Sequence, residues 1–466
     1  MLSTPARVAA VSVAPAVAPA ARSPRGAALR RLATLACASL AAAGLLLGVP
    51  AAAQEDPAFT VSVQGSRDFR LAVPRAAQPS GDTGVAGTII DTIRRDLDLS
   101  GYFSLLPQDT VDSGGVEPGS FDYGTWRSAR ASALAKVRVL PGGAGGCDTG
   151  AGRICADVYV YDVAGQRKLV GQRVRATPDS ARAIGHELAS AILLALVGEP
   201  GFFQGHLVAV GQKSGENKEL YVLDVDGRNV RPVTRNGSIN LSPAWSRDGQ
   251  QIAWTSYKRG NPDIFVKDLR TGAVRTLSSR DGANLSPAFS PDGRTIAVAR
   301  SVNGETDLFL IDARTGADIR QLTQGGGIDV SPCFTPDGNT IVFASERGGT
   351  ASIYGISVNG GTPWRITPFS GRFTDPMVSP DGRKVAFVVQ HGAFDVWVVN
   401  MDGSGVTKVT GGQGDNEDPS WSPDGRYLAF TSNRRGRTEI WLSTVSGQHQ
   451  VPVTDSGGWS QAVWRP

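Results

Sequence analysis

The chain has 466 residues, of which 19% are charged and 41% hydrophobic, and a formal net charge of +4 at neutral pH. Five of its 47 basic residues, and none of its 43 acidic ones, fall within positions 1–53, so the remainder carries 42 basic against 43 acidic side chains. A near-neutral chain has no bulk positive field with which to grip a phosphate backbone, and nucleic acid is set aside as a partner.

Positions 1–53 have the form of an export segment. Arg22, Arg25, Arg30 and Arg31 precede an apolar run from Leu32 to Val49, and Ala51, Ala52 and Ala53 offer a small-residue cleavage site before Gln54. The expectation is a cleaved signal peptide over 1–53 and a periplasmic protein. Positions 54–70 are polar, with a weak alternation at Phe59, Val61 and Val63. A flexible tail that binds a partner by strand addition is expected there.

Positions 71–198 mix helical and strand periodicities, as expected of one small α/β domain. Leu71 to Val73 forms a short core strand. Val85, Ile89, Ile93 and Leu97 fall four apart, which predicts an amphipathic helix over 84–98. A strand at 104–106 follows, then a second helix over 121–135 with Trp126 on its buried face. A strand at 136–140 comes next, and a hairpin of 155–163 with 168–175. Asp179 is the expected N-cap of a third helix running through Ile184, Leu188, Ile192 and Leu196. Cys147 and Cys155 flank a Gly-rich loop. An oxidising compartment favours joining them, with metal ligation as the rival, although no second Cys or His pair stands nearby.

Gly198-Glu199-Pro200-Gly201 breaks that helix, and from 202 onward the chain repeats. SPAWSRDG from Ser242 recurs as SPAFSPDG from Ser286, SPCFTPDG from Ser331, DPMVSPDG from Asp375 and DPSWSPDG from Asp418. The position of Trp245 returns as Phe289, Phe334, Val378, Trp421 and Trp464, at spacings of 44, 45, 44, 43 and 43. Each unit holds four short strands punctuated by Asp-Gly turns, the dimension of a propeller blade. The first unit, 206–234, lacks its SPxW strand, and 461–466 supply one. The expected fold is therefore multidomain: a small α/β N-terminal domain followed by an all-β six-bladed β-propeller, closed by the C-terminal strand so that no sheet edge is left open. Cys333 replaces a small residue on an inner strand and is expected to be a buried apolar filler.

Motifs for catalysis are missing. His186-Glu187 has Ser190 where a zinc protease helix needs its second histidine, and no G-x-S-x-G elbow or phosphate-binding glycine loop occurs. No enzymatic activity, cofactor or metal is expected; the alternative is a propeller-containing periplasmic hydrolase or an accessory domain of one. If SPxW is the innermost strand, one mouth of the channel collects Asn240, Ser242, Asn284, Ser286, Asp329, Ser331, Asp375, Asn416 and Asp418. Lys258, Arg259, Arg347, Arg434, Arg435 and Arg437 would form the rim. A ring of short polar groups inside a partly basic rim suits a protein or peptide ligand, although the same residues equally serve as strand-end caps.

The repeated SPxWSPDG units, DLDLSGYFSLLP from Asp96, the Trp126 segment, VYVYDV from Val158 and His186 in the last helix before Gly198 to Phe202 together resemble the TolB family of the Tol–Pal system. That resemblance covers nearly all of the chain after the leader. It implies an adaptor that binds the peptidoglycan-associated lipoprotein Pal at a propeller mouth and TolA through its mature N-terminus. It also implies a role in outer-membrane integrity and constriction during cell division, and leaves room for other envelope proteins as partners. Matched by motif, the Pal-contacting positions are Ala283, Ser286 and Val330, and the TolA-binding tail lies within 54–65. The tail departs from the family's usual stretch, being Pro-containing and more polar.

Overall fold

The computed structural model describes residues 69–77, 83–111, 114–212, 215–302, 304–369 and 371–466. The expected signal peptide and the tail residues Phe59, Val61 and Val63 lie outside the described residues.

The first elements are β1 (Arg70–Ala72), α1 (Thr83–Ser100), β2 (Ser104–Leu105), α2 (Tyr123–Ser128), β3 (Ala133–Pro141), β4 (Ile154–Asp162), β5 (Arg167–Ala176) and α3 (Ala181–Val197). The strands form one sheet in the order β2-β1-β3-β4-β5, parallel among β2, β1 and β3 and antiparallel beyond. Alternation decides its faces. Ala133, Ala135, Val137 and Val139 on β3 and Ala156, Val158 and Val160 on β4 meet the apolar stripes of α1 (Ile89, Ile93, Leu97) and α3 (Ile184, Leu188, Ile192, Leu196) in one core. On the other face Asp157 is clasped by Arg138 at 2.8 Å and Arg173 at 2.6 Å. A disulfide joins Cys147 to Cys155, eight residues apart; closing so short a loop stabilises by roughly 2.5 kcal/mol on the loop-entropy model.

Two expectations are corrected here. The second helix is a turn and a half rather than fifteen residues. Asp122 caps it by accepting from the N–H groups of Gly124 and Thr125, and Arg130, at φ 60°, turns the chain out. Ala133 and Leu134 then pair with Leu71 and Ala72, so tertiary pairing overrides local helical propensity. Asp179 does not cap the third helix either. It sits within a short 3-10 turn, Pro178–Ser180, and the N-cap position of α3 is Ser180, with no side-chain hydrogen bond.

Six four-stranded antiparallel sheets follow. Their innermost strands, which number the blades, are Asn240–Trp245, Asn284–Phe289, Asp329–Phe334, Arg372–Val378, Asn416–Trp421 and Trp459–Trp464. Blade 6 is assembled from both ends of the array: Trp459–Trp464 pairs with His206–Gly211, aligning Val463 with Val208 and Trp464 with Leu207. The Ser-x-Asp-Gly turns are held by their own side chains. Ser290 Oγ donates to Asp292 at 2.6 Å, Asp292 accepts from the Arg294 N–H, and Gly293 takes φ 70°. The same arrangement recurs at Asp248, Asp337, Asp381 and Asp424.

The α/β domain rests on the Asp-Gly-turn side, at blades 5 and 6. Leu99 is fully buried in the cluster that holds Tyr427 and Val453, and the Tyr427 hydroxyl donates to the Ser100 carbonyl at 3.0 Å. Arg426 pairs with Glu199 at 3.0 Å.

Candidate functional site

Each inner strand carries one residue in the left-handed region: Ser242, Ser286, Ser331, Asp375, Asp418 and Gln461, all at φ between 49° and 54°. The ladder to the next strand slips at the same place in every blade, the mark of a bulge. The twist frees these backbone N–H groups for neighbouring blades. Ser242 donates to Gln461 Oε1 at 2.8 Å, Ser286 to Thr255 Oγ1 at 3.1 Å and Gln461 to Thr431 Oγ1 at 2.9 Å. It also brings the six side chains to the channel wall as one polar ring.

Two residues further on, Ala244, Ala288, Cys333, Met377, Ser420 and Val463 make a second, mostly apolar ring, and these layers, continued to Arg247, Pro291, Pro336, Pro380 and Pro423 on the Asp-Gly-turn side, line a cavity of about 360 Å³. Trp245 and Trp421 brace it by donating Nε1–H to the carbonyls of Val463 (3.1 Å) and Met377 (2.9 Å) in adjacent blades. Cys333 is half-buried on this wall rather than a wholly buried filler, with its sulfur 3.5 Å from Met377 Sδ.

The expected mouth residues divide in two. Ser242, Ser286, Ser331, Asp375 and Asp418 line the channel, whereas Ala283 and Val330 are half-buried outside its lining, Val330 packed against the cores between blades. Asn240, Asn284, Asp329 and Asn416 are fully buried and cannot touch a ligand as they stand. Asn240 accepts from Trp254 Nε1 and Ser256 Oγ, Asn284 accepts from Ser278 Oγ, Asp329 binds Arg347 at 2.7 Å, and Asn416 accepts from Ser432 Oγ and Arg434. They fasten strand ends, because a buried amide or carboxylate must be paired. Two rim arginines, 347 and 434, are tied up in that fastening, and Arg437 pairs with Glu439 at 2.8 Å. Lys258 and Arg259 are exposed, although each also lies over the Phe265 ring.

Charge round the ring is uneven. Asp375 and Asp418 are its two acidic members, on adjacent blades. Asp375 accepts from Thr374 Oγ1 at 2.9 Å and Ser331 Oγ at 3.3 Å, and Asp418 from Thr431 Oγ1 at 2.8 Å. Enclosure by the channel wall, then the charge of Asp375, pushes the Asp418 carboxyl up to about 7. Enclosure raises Asp375 as well, and burial with the charges of Asp375 and Asp415 raises Glu417. Gln461 is the ring member that sequence reasoning missed. Its signal was the repeat register: it stands three positions before Trp464, as Ser242 does before Trp245. Among the described residues no group of three or more His, Cys, Asp or Glu is arranged to hold a metal.

A family model described as TolB beta propeller domain matches residues 194–389 and 365–466, and one described as TolB amino-terminal domain matches 59–169. Among curated relatives, the Tol-Pal system protein TolB of Anaeromyxobacter sp. (strain K) is 36% identical over 240 residues, 50% of this chain and 51% of that protein. The Tol-Pal system protein TolB of Geobacter sulfurreducens is 35% identical over 201 residues, 42% and 44% of the two chains. The chain thus spans about half the length of the curated relatives it matches. Among solved structures, TolB from Acinetobacter baumannii superposes with a TM-score of 0.72 at 26% identity, covering 85% of this chain and 96% of that one.

Proposed function

The chain belongs to the TolB family, and from that premise we propose that it is a non-catalytic adaptor of the Tol–Pal system, exported to the periplasm on removal of 1–53. Its propeller mouth docks the peptidoglycan-associated lipoprotein, its tail over 54–65 engages TolA, and the joined system supports outer-membrane integrity and envelope constriction during division. One observation carries this reading: a channel ringed by six backbone-locked polar positions, one from each blade. Little conformational freedom is lost when a partner docks on such a surface. Ala283, Ser286 and Val330 are assigned to the contact, together with the channel-lining members of the polar ring.

A pull-down with purified peptidoglycan-associated lipoprotein tests the mouth. Wild type should retain it, and Ser286→Arg should bind at least about tenfold more weakly, because a long charged side chain would block a ring of short ones. The thermal midpoint should not move. No capture by wild type, or equal capture by the variant, removes the assignment. A chain lacking 54–65 should lose TolA in a parallel pull-down with purified TolA and show an altered affinity for the lipoprotein; unchanged affinities for both would remove the tail's assignment.

A further inference from the structure

Where α1 and α3 lean on blade 6, a buried pair of titratable groups lies apart from the channel. His186 on α3 is 6% exposed, and its Nδ1 stands 2.7 Å from Oδ2 of Asp96 on α1. Asp96 is fully buried, and its second oxygen, Oδ1, has no hydrogen-bond partner. One helical turn before His186, Arg182 lies 3.5 Å from the imidazole Nε2 and reaches across to the propeller. There it meets Asp224 at 2.9 Å and Asp226 at 2.9 Å. His206, on the same blade, is 3.6 Å from Asp224. At the margin, Arg95 donates to the carbonyl of Pro452 at 2.6 Å and lies 4.0 Å from Asp98, whose backbone carbonyl is 2.9 Å from His449 Nε2.

We propose that this joint is a proton-operated latch, in which proton uptake by the Asp96–His186 pair holds the α/β domain against the propeller and proton loss loosens it.

The direction follows from linkage: if docking raises a group's proton affinity, a bound proton favours docking by the same amount. Burial lifts the Asp96 carboxyl to about 6, against the opposing pull of the His186 hydrogen bond. For His186 burial disfavours the cation, but the hydrogen bond and charge of Asp96 outweigh it and the imidazole is raised. Asp226, which belongs to the propeller, pushes both groups upward, and Arg182 acts against both. Arg182 is itself paired to Asp224 and Asp226, which blunts its effect. His206 is the counterweight, because burial lowers its pKa and so favours docking at higher pH. What docking itself adds is the charge of Asp226, which raises both groups, and the pairing that neutralises Arg182, so the docked state is the one that holds more protons. The imidazole's share of the stabilisation is present below its ordinary 6.5 and fades as pH rises past its raised value. The carboxyl's share is full only below 3.8 and is lost as pH rises past about 6, so the change between pH 6 and pH 8 belongs chiefly to His186.

The test is amide hydrogen exchange on the full chain at pH 6 and pH 8, corrected for intrinsic rates, read over 181–197 and 219–226. Wild type should be about tenfold better protected at pH 6, and His186→Gln should erase that difference. Histidine ring signals followed by NMR give an arm that needs no fold-perturbing change at the pair. The His186 midpoint should lie above that of an ordinary histidine, and Asp226→Asn should lower it. Protection that is flat or rises with pH in wild type, a pH difference that survives His186→Gln, or a midpoint that Asp226→Asn leaves in place each overturns the latch.

Discussion

A chain ending at Gly458 should lose the cooperative unfolding of its propeller, with the thermal midpoint falling by more than about 10 °C. The missing segment is the innermost strand of blade 6. Trp459 is 6% exposed, Ala462 1% and Trp464 4%, and all three belong to the cluster that includes Leu207, Tyr427 and Leu99. Deleting a buried tryptophan side chain costs about 3–5 kcal/mol, so two of them set a floor near 6 kcal/mol before the strand pairing is counted. For a domain of this size each kcal/mol moves the midpoint by about 2–4 °C. The loss would also strip the partner from His206–Gly211 and remove the Gln461 side chain that receives the Ser242 N–H. Calorimetry of the truncated chain beside the intact one is decisive: matching melting curves would mean that the ring is not held shut by this strand. Trp464→Ala should show the same effect at about half the size.

Asp418→Asn should stabilise the protein by about 3 kcal/mol at pH 8 and by only about 1 kcal/mol at pH 5. The carboxyl stands at about 7 against an ordinary value of 3.8, so above neutrality the folded state carries an enclosed charge that the unfolded chain holds in water. A difference of that size corresponds to about 4 kcal/mol, and to about 3 here because the channel admits water. As pH falls through 7 the folded group takes up its proton and the penalty shrinks, vanishing only below the ordinary value of 3.8, so wild type should gain stability between pH 8 and pH 5. Asparagine keeps the size of the side chain and an oxygen that accepts from Thr431, without the charge that opposes Asp375. Urea unfolding at the two pH values separates the outcomes. Equal stability of both proteins at pH 8 would show that the ring holds Asp418 ionised without strain. His186→Gln, by contrast, acts at the domain joint and should leave this difference intact.

The propeller was legible because its strands are short and their punctuation is chemical. Ser, Pro, Asp and Gly at fixed offsets dictate a turn that the structure builds from contacts within five residues, as at Ser290, Asp292 and Thr295. A period of 43 to 45 residues then leaves little freedom in how the units stack. The helices α1 and α3 were equally plain, since residues four apart share one face. The segment after Trp126 was not. Its helical composition competes with a sheet pairing to Leu71 and Ala72, some sixty residues away, and nothing local announces that partner.

Residue chemistry and spacing by themselves determined the six-blade count, the closure by the last strand and the ring position to which the mouth residues belong. Only the tertiary structure decided which of them face the channel. Asn240 and Ser242 stand two apart on one strand, yet the first is sealed among Trp254 and Ser256 while the second, in the left-handed region, opens onto the cavity. That division arises from the bulge, whose extra residue reverses the strand's alternation at one point. The joint of Asp96, His186 and Arg182 with Asp226 was hidden for a different reason. Its members are separated by up to 130 positions and owe their proton affinities to burial and to each other's charge, which exist only once the chain has folded.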